Sequence, residues 1–299
     1  MSQFTHWEVP IRALGNACLL GENPYYHRSH QRLYWVDIFG NKLHWMDLAS
    51  QRIETLATAE RLCWVVETES EQLLAGFQSR LCLLDTHSSE SKPWCRLADE
   101  PGHNRLNDAT VDHYGNLWFG SMDDNEEKPT GSLYFLGRGK SPEIKDTGYT
   151  VTNGPAHCAR TNRLFHASST ERLIYVFDIT EQGDITGKRV FARFSETMGY
   201  PDGLTVDDQG GLWVAQWGGG GIVRFQPDGT PDLRIALPAP YVTNTSFVAS
   251  SPGRLYVTTS TLKMSSSEKQ AFPDAGKLFE LDISQTGLGG VYPPHFRLT

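Results

Sequence analysis

The sequence predicts an all-β chain folded as a six-bladed β-propeller, and three observations carry that reading. Short apolar segments opening on a leucine recur six times, 40 to 48 residues apart. Each is followed by one or two further strand-like segments, which makes a unit of roughly 40–50 residues with about four short strands, the period of a propeller blade. No segment sustains a 3.6-residue apolar period for three turns, so long helices are not expected.

In chain order the openings are "RLYWVD" at Leu33, "QLLAGF" at Leu73, "NLWFGS" at Leu117, "RLFHAS" at Leu164, "GLWVAQ" at Leu212 and "RLYVTT" at Leu255. Most follow a polar turn, such as "HRSHQ", "HYGN", "ARTN", "DQGG" and "SSPG". The next strands are "KLHWMD", "RLCLLD", "SLYFLG", "LIYVFD", "IVRFQPDG" and "KLFELD", with outer strands such as "QRIETLA" and "KRVFARF" beyond them. Aromatic residues, 11% of the chain, sit beside Leu, Val and Ile in these runs, as strands on a buried face require. Six units fill residues 1–299 and leave no room for a second domain, so a single propeller domain is expected.

Composition narrows the partners. The net charge is −8 with no Lys/Arg block, which argues against nucleic acid or an anionic membrane and leaves a small ligand. Nothing approaches 18 uninterrupted apolar residues, and the N-terminus lacks the basic and apolar regions of a signal peptide. Five scattered cysteines (Cys18, Cys63, Cys82, Cys95 and Cys158) form no Cys-x-x-Cys pair and read as buried thiols in a reducing cytoplasm. The sequence specifies no oligomeric state.

A second registry runs ahead of the first. Ten or eleven residues before the leucines stand Glu22 ("LGENP"), Asn107 ("RLNDA"), Asn153 ("VTNGP"), Asp202 ("YPDGL") and Asn244 ("VTNTS"). Blade two alone has an apolar pair there, Leu62 or Cys63. Each polar residue is expected just before the strand that lines the channel, so the five should ring one mouth of it. Asn or Asp before Gly is a common turn former, but Glu22 is not, and five turn residues in one register exceed what turns alone require. Two carboxylates meeting on one axis must share a proton or hold a cation. An all-oxygen set of this kind favours calcium, magnesium or manganese, with zinc less suited.

At these residues the chain resembles the senescence-marker-protein/gluconolactonase family, the regucalcin-like lactonases. The motifs that carry the resemblance run nearly end to end: "LLGENPYYHRSHQRLYWVDI", "RLNDATVDHYGNLWFGSMD", "TVTNGPAH", "GYPDGLTVDDQGGLWVAQWGGGGIVRFQPDG", "PYVTNTSF" and "DAGKLFELD". The resemblance implies one divalent metal at the channel mouth held by Glu22, Asn153 and Asp202, with Arg105 and Asn107 contacting a sugar lactone. It also implies hydrolysis of that lactone, with calcium the first choice of ion and zinc, magnesium or manganese the alternatives. Two departures bear on substrate identity: Asn23 stands where the family often has Gly, and "GSMDDNEEK" offers both Asp123 and Asp124 where the family has an acidic pair.

The chemistry expected of such a site is opening of a cyclic ester to an aldonic acid. A metal polarises the carbonyl and activates water, while Asp202 is positioned to act as general base. Arg105 and Asn107 would hold the sugar oxygens in reacting geometry. Two rivals share the pattern: a metal-dependent propeller hydrolase of organophosphates or aryl esters, and a non-enzymatic metal-binding propeller. There is no Gly-x-Ser-x-Gly, and "GGGG" at 218–221 reads as a tight turn, not a nucleotide fingerprint. His27 and His30 are expected in a solvated turn. Strand alternation would point His157 the same way as Asn153. Trp217 and Tyr241 are candidates for a pocket wall, and residues 262–275 for an extended loop or lid.

Overall fold

In a computed structural model, the chain is described over residues 4–70, 72–97, 99–248, 253–292 and 294–298. Part of the turn expected at "SSPG", residues 250–252, lies outside them. The first two strands are β1 (Thr5–Trp7) and β2 (Ile11–Leu14). Blade one then holds β3 (Gly21–His27), β4 (Arg32–Asp37), β5 (Lys42–Asp47) and β6 (Ile53–Ala57). Blade two holds β7 (Leu62–Glu67), β8 (Leu73–Phe77), β9 (Arg80–Leu84) and β10 (Ser91–Arg96). Blade three holds β11 (Asn104–Val111), β12 (Leu117–Asp123), β13 (Gly131–Leu136) and β14 (Glu143–Tyr149). Blade four holds β15 (Thr152–Cys158), β16 (Arg163–Ser168), β17 (Leu173–Ile179) and β18 (Ile185–Arg193). Blade five holds β19 (Tyr200–Val206), β20 (Leu212–Trp217), β21 (Gly221–Phe225) and β22 (Pro231–Ala236). Blade six holds β23 (Val242–Phe247), β24 (Arg254–Thr259) and β25 (Leu278–Asp282).

The strands within each blade pair antiparallel in chain order, and the six first strands contact one another in a closed circuit from β3 round to β23 and back. The predicted six-bladed propeller is therefore the fold. Its closure is not legible in the repeats. Strand β2 supplies the missing outer strand of blade six, pairing Ile11–Leu14 with Leu278–Leu281 of β25, and β1 adds a fifth, parallel strand to β22 of blade five.

All six repeat leucines are buried, at 0 or 1% exposure, because each lies on the second strand of its blade where neighbouring sheets pack. The polar turns before them have a job in two blades. In "VDHYGNLW" the Asp112 carboxylate accepts the backbone N–H groups of Tyr114 and Asn116 and the indole N–H of Trp118, each at 2.9 Å. In "VDDQGGLW" Asp207 does the same for Gln209, Gly211 and Trp213, and pairs with buried Arg224 at 2.6 Å. A turn residue and a core tryptophan are thus tied by one carboxylate.

The segment expected as an extended loop or lid contains a short helix, α1 (Ser266–Ala271), started by a capping box in which Ser265 and Glu268 bond reciprocally. No helix among the described residues is long and apolar enough to cross a membrane. The C-terminal segment crosses the far mouth of the channel, bridging Gly290 to Asp207 of blade five and Phe296 to Thr68 of blade two.

Candidate active site

Four of the five expected ring residues share one mouth, Asn244 lining the cavity beyond them, and all five lie inside the inner strands, not before them as the sequence suggested. Each sits at or beside a break in register: between Glu22 and Tyr25, Leu106 and Ala109, Asn153 and Ala156, Pro201 and Leu204, and Val242 and Asn244. Blade two has the same break, at Cys63. Such a bulge interrupts the two-residue alternation, so two successive residues can face the channel. That is why Asn107 is accompanied by Asp108 and Glu22 by Asn23, all four buried. Asp108 was missed by sequence reasoning; its adjacency to Asn107 at a ring position was the available signal.

Asn23 fills the gap left by blade two. Its φ of 44° is a left-handed conformation that Asn tolerates better than most residues, and its Oδ1 accepts the N–H of Val65 at 2.8 Å. Gly203 serves the same end of the channel by being small: the Asn244 amide carbon lies 2.1 Å from where a Cβ would stand.

Glu22, Arg105, Asn107, Asn153 and Asp202 all line one cleft of about 480 Å³ at one mouth of the channel, together with Trp217 and Tyr241, whereas Asn23, Asp108 and Asn244 line the cavity on the other side. A relay of hydrogen bonds orients several of them. Arg105 NH1 donates to Asn107 Oδ1 at 2.6 Å, and Asn107 Nδ2 donates to Asn153 Oδ1 at 2.8 Å. Asn153 Nδ2 then donates to Ser169 Oγ at 2.9 Å, and Ser169 Oγ to the Pro201 carbonyl, beside Asp202, at 2.7 Å. The direction of the relay leaves the two amides one consistent orientation. Ser169, in the turn after β16, has no sequence signal of its own.

Three carboxylates concentrate negative charge in the channel, Glu22 and Asp202 in the cleft and Asp108 behind them. Burial, then the charge of Asp108, pushes Glu22 up to about 8. Burial alone raises Asp108 to about 7, against hydrogen bonds from Gly154, Ala109 and Asn244 that favour its charged form. Burial and the charges of Glu22 and Asp108 raise Asp202 well above the ordinary carboxylate range. Arg105 is the cation that opposes them, and it is shared with Asp124, whose Oδ1 lies 3.2 Å from Arg105 Nε and 2.7 Å from Arg61 NH1. Asp124 thus faces the cleft's arginine. Asp123 turns away, accepting the backbone N–H groups of Asn125, Glu127 and Lys128 at 2.8–3.3 Å. The donor set is all oxygen and its charge is under-compensated, an arrangement a divalent cation fits.

The histidines depart from expectation. His27 is fully buried within β3, stacked on His30 with ring centroids 3.9 Å apart and 3.3 Å from Glu67, and burial lowers it to about 4. His157 does not share the direction of Asn153, because the bulge between them breaks the alternation. It lines a cavity of about 140 Å³ at the far end, with its Nε2 3.3 Å from His113 Nδ1. The glycine run at 218–221 does form a turn.

A second group of metal-ligating types, Cys18, Asp37 and His44, is buried with ligand atoms within 4.8 Å of one another. Its carboxylate already accepts the N–H groups of Leu19, Leu20 and Gly40 at 2.9–3.0 Å, and burial pushes the Cys18 thiol up to about 12. Its visible work is to hold the segment that leads into Glu22.

Residues 20–261 match the family model for the SMP-30/Gluconolactonase/LRE-like region. A pentonolactonase of Haloferax volcanii is 30% identical over 92% of this chain and 95% of its own length. An L-arabinolactonase of Azospirillum brasilense is 31% identical over 93% of this chain and 92% of its own. Among solved structures, a calcium-binding protein of Agrobacterium tumefaciens, regucalcin, superposes with a TM-score of 0.91 at 25% identity, covering 98% of this chain and 99% of that one.

Proposed function

The chain belongs to the SMP-30/gluconolactonase/LRE-like family, and from that premise we propose that it hydrolyses a sugar lactone to the open aldonic acid at the cleft containing Asp202. The observation that carries the reading is the convergence of Glu22, Asn153 and Asp202 with Arg105 and Asn107 on one cleft. The lactonases among its relatives support the reaction class.

Glu22, Asn153 and Asp202 would hold a divalent cation, calcium before zinc, magnesium or manganese, which when bound supplies Lewis acidity and balances the buried carboxylates. Asp202 accepts the proton of the attacking water as its oxygen bonds to the lactone carbonyl carbon. When the ring C–O bond breaks, the same carboxyl returns that proton to the departing alkoxide, so no net proton is lost on the enzyme. Arg105 and Asn107 orient the lactone's hydroxyl and ester oxygens. The relay from Arg105 to Pro201 keeps Asn153 and Asn107 from rotating between turnovers. Trp217 and Tyr241, with ring centroids 4.8 Å apart, give the sugar an apolar wall. Free cysteines throughout are consistent with a reducing, cytoplasmic setting.

The test is a panel of aldonolactones assayed by acid release, after chelation and after adding back each ion. Activity lost on chelation and restored by calcium is expected. Equal or faster cleavage of phosphotriesters would move the reading to the rival hydrolase, and metal binding without hydrolysis of either to the non-enzymatic one.

A further inference from the structure

Two long side chains meet at the mouth of the cleft. Lys263 Nζ lies 2.6 Å from Glu126 Oε2, and both residues line the same cleft as Glu22 and Asp202. They come from opposite sides of the ring. Glu126 follows β12 in blade three, and Lys263 follows β24 in blade six, with two blades between them in either direction. Among the described residues no other salt bridge joins these two blades.

The backbones that present them are fixed. The Asp123 carboxylate gathers three successive-turn N–H groups around Glu126, whose own N–H reaches the Asp123 carbonyl at 3.0 Å. On the other side, Leu262 N–H donates to Ser260 Oγ at 3.0 Å and Met264 N–H to the Thr261 carbonyl at 3.2 Å, just ahead of the capping box of α1. The side chains are partly open to solvent, 49% exposed for Lys263 and 42% for Glu126. Lys263 Nζ also lies 5.9 Å from the Trp217 ring centre, so the ammonium has an aromatic resting place beside the pair.

We propose that the Lys263–Glu126 pair is a specificity bar across the cleft, admitting single-ring lactones and disfavouring lactones that carry a second sugar. The inference rests on the lactonase reading above and adds to it the residue pair that limits the size of lactone admitted. On this proposal a single ring passes beneath the bar. A lactone extended by a glycosidic residue has to part the two charges. An exposed ion pair is weak and screened by salt, so the discrimination it gives is a matter of about two- to tenfold and falls as ionic strength rises.

The experiment compares kcat/KM for glucono-δ-lactone with that for lactobiono-δ-lactone, which bears a galactosyl group on the same acid, and reads the ratio within each variant. Lys263→Ala and Glu126→Ala should each raise the ratio of the larger to the smaller lactone by about two- to tenfold. In the wild type, the same ratio should climb as sodium chloride is added, while both variants stay insensitive. The charge-swapped double variant Lys263→Glu/Glu126→Lys should recover the wild-type ratio and its salt response, which loss of packing alone would not allow. Unchanged ratios in both single variants, or a double variant that behaves as the singles do, would overturn the bar. The parent lactone of the pair is replaced by whichever panel lactone is cleaved fastest, compared with its own glycosylated form; if the wild type hydrolyses no lactone of the panel, the lactonase reading itself has failed, and that result is distinct from a bar that does not discriminate. Melting curves of each variant accompany the assay, so that a folding defect is seen separately.

Discussion

Glu22 and Asp202 are ionisable groups held out of water beside a third, Asp108, and the physical consequence is measurable without substrate. The Glu22 carboxyl is raised from 4.5 to about 8 by burial and by the charge of Asp108. Between those values the folded chain keeps a proton that the unfolded chain has released, so folding stability falls as pH climbs through this window. In chelator, the melting temperature should therefore drop from about pH 5 to about pH 8. Calcium, if it is held by the ionised set as proposed, should flatten that profile by mass action. A level or rising profile in chelator contradicts the account of shared repulsion. Asp202→Asn separates the two roles of this residue. It removes one repelling charge, so the metal-free variant should melt higher than wild type. It also removes the proposed base, so lactone hydrolysis should fall about 10²–10⁴-fold in the acid-release assay. Full activity in that variant would remove Asp202 from the chemistry. The five ring residues were legible in the sequence because a repeat superimposes them; Asp108, Asn23 and Ser169 were not, because each is defined by a local backbone shape that no period reports.

At the scale of the strand, the bulge is what converts a repeat into a site. A regular inner strand would show the channel every second residue, and on that rule His157 belonged with Asn153. The extra residue lets Asn107 and Asp108 both face inward and sends His157 to the far cavity. Blade two lacks the oxygen ligand of a ring residue: Cys63 puts a thiol there, hydrogen-bonded with Arg105, and Asn23 reaches across from blade one to Val65. Two substitutions divide the contributions of Asn23. Asn23→Gly keeps the left-handed backbone but leaves a buried N–H unpaired, which costs about 1–3 kcal/mol. Asn23→Ala loses the same bond and adds about 1–2 kcal/mol of backbone strain. Denaturant unfolding should therefore rank wild type above the glycine variant and the glycine variant above alanine. An alanine variant as stable as the glycine one would show that the φ of 44° is not retained in solution.

For the whole molecule, the repeats announced six blades but not how the ring is locked, since the closing strands carry no repeat signature: β2 is four residues long and β1 three. Both termini do this work. Residues 5–14 run along the outer edges of blades five and six, joining β22 to β25 and laying Trp7, Val9, Ile11 and Ala13 against the core of those blades. The C-terminal segment reaches the other way, from Asp207 in blade five to Thr68 in blade two, and buries Phe296 completely. A propeller in which every blade leans on its neighbours should unfold in one transition, and a single calorimetric peak would check the single-domain expectation. Removing residues 1–14 strips blade six of an outer strand and uncovers apolar side chains worth several kcal/mol at roughly 25 cal/mol per Å². At about 2–4 °C per kcal/mol for a chain of this size, the truncated protein should melt roughly 5–15 °C lower. A peptide spanning residues 1–16, added in excess, should restore part of that loss by refilling the edge of β25. The loss should also reach the cleft, because Leu262 and Lys263, which line it, follow the second strand of the weakened blade. Calorimetry of the truncated chain, with and without the peptide, decides it: an unchanged melting temperature would mean that blade six is closed by its own three strands and that β2 only decorates its edge.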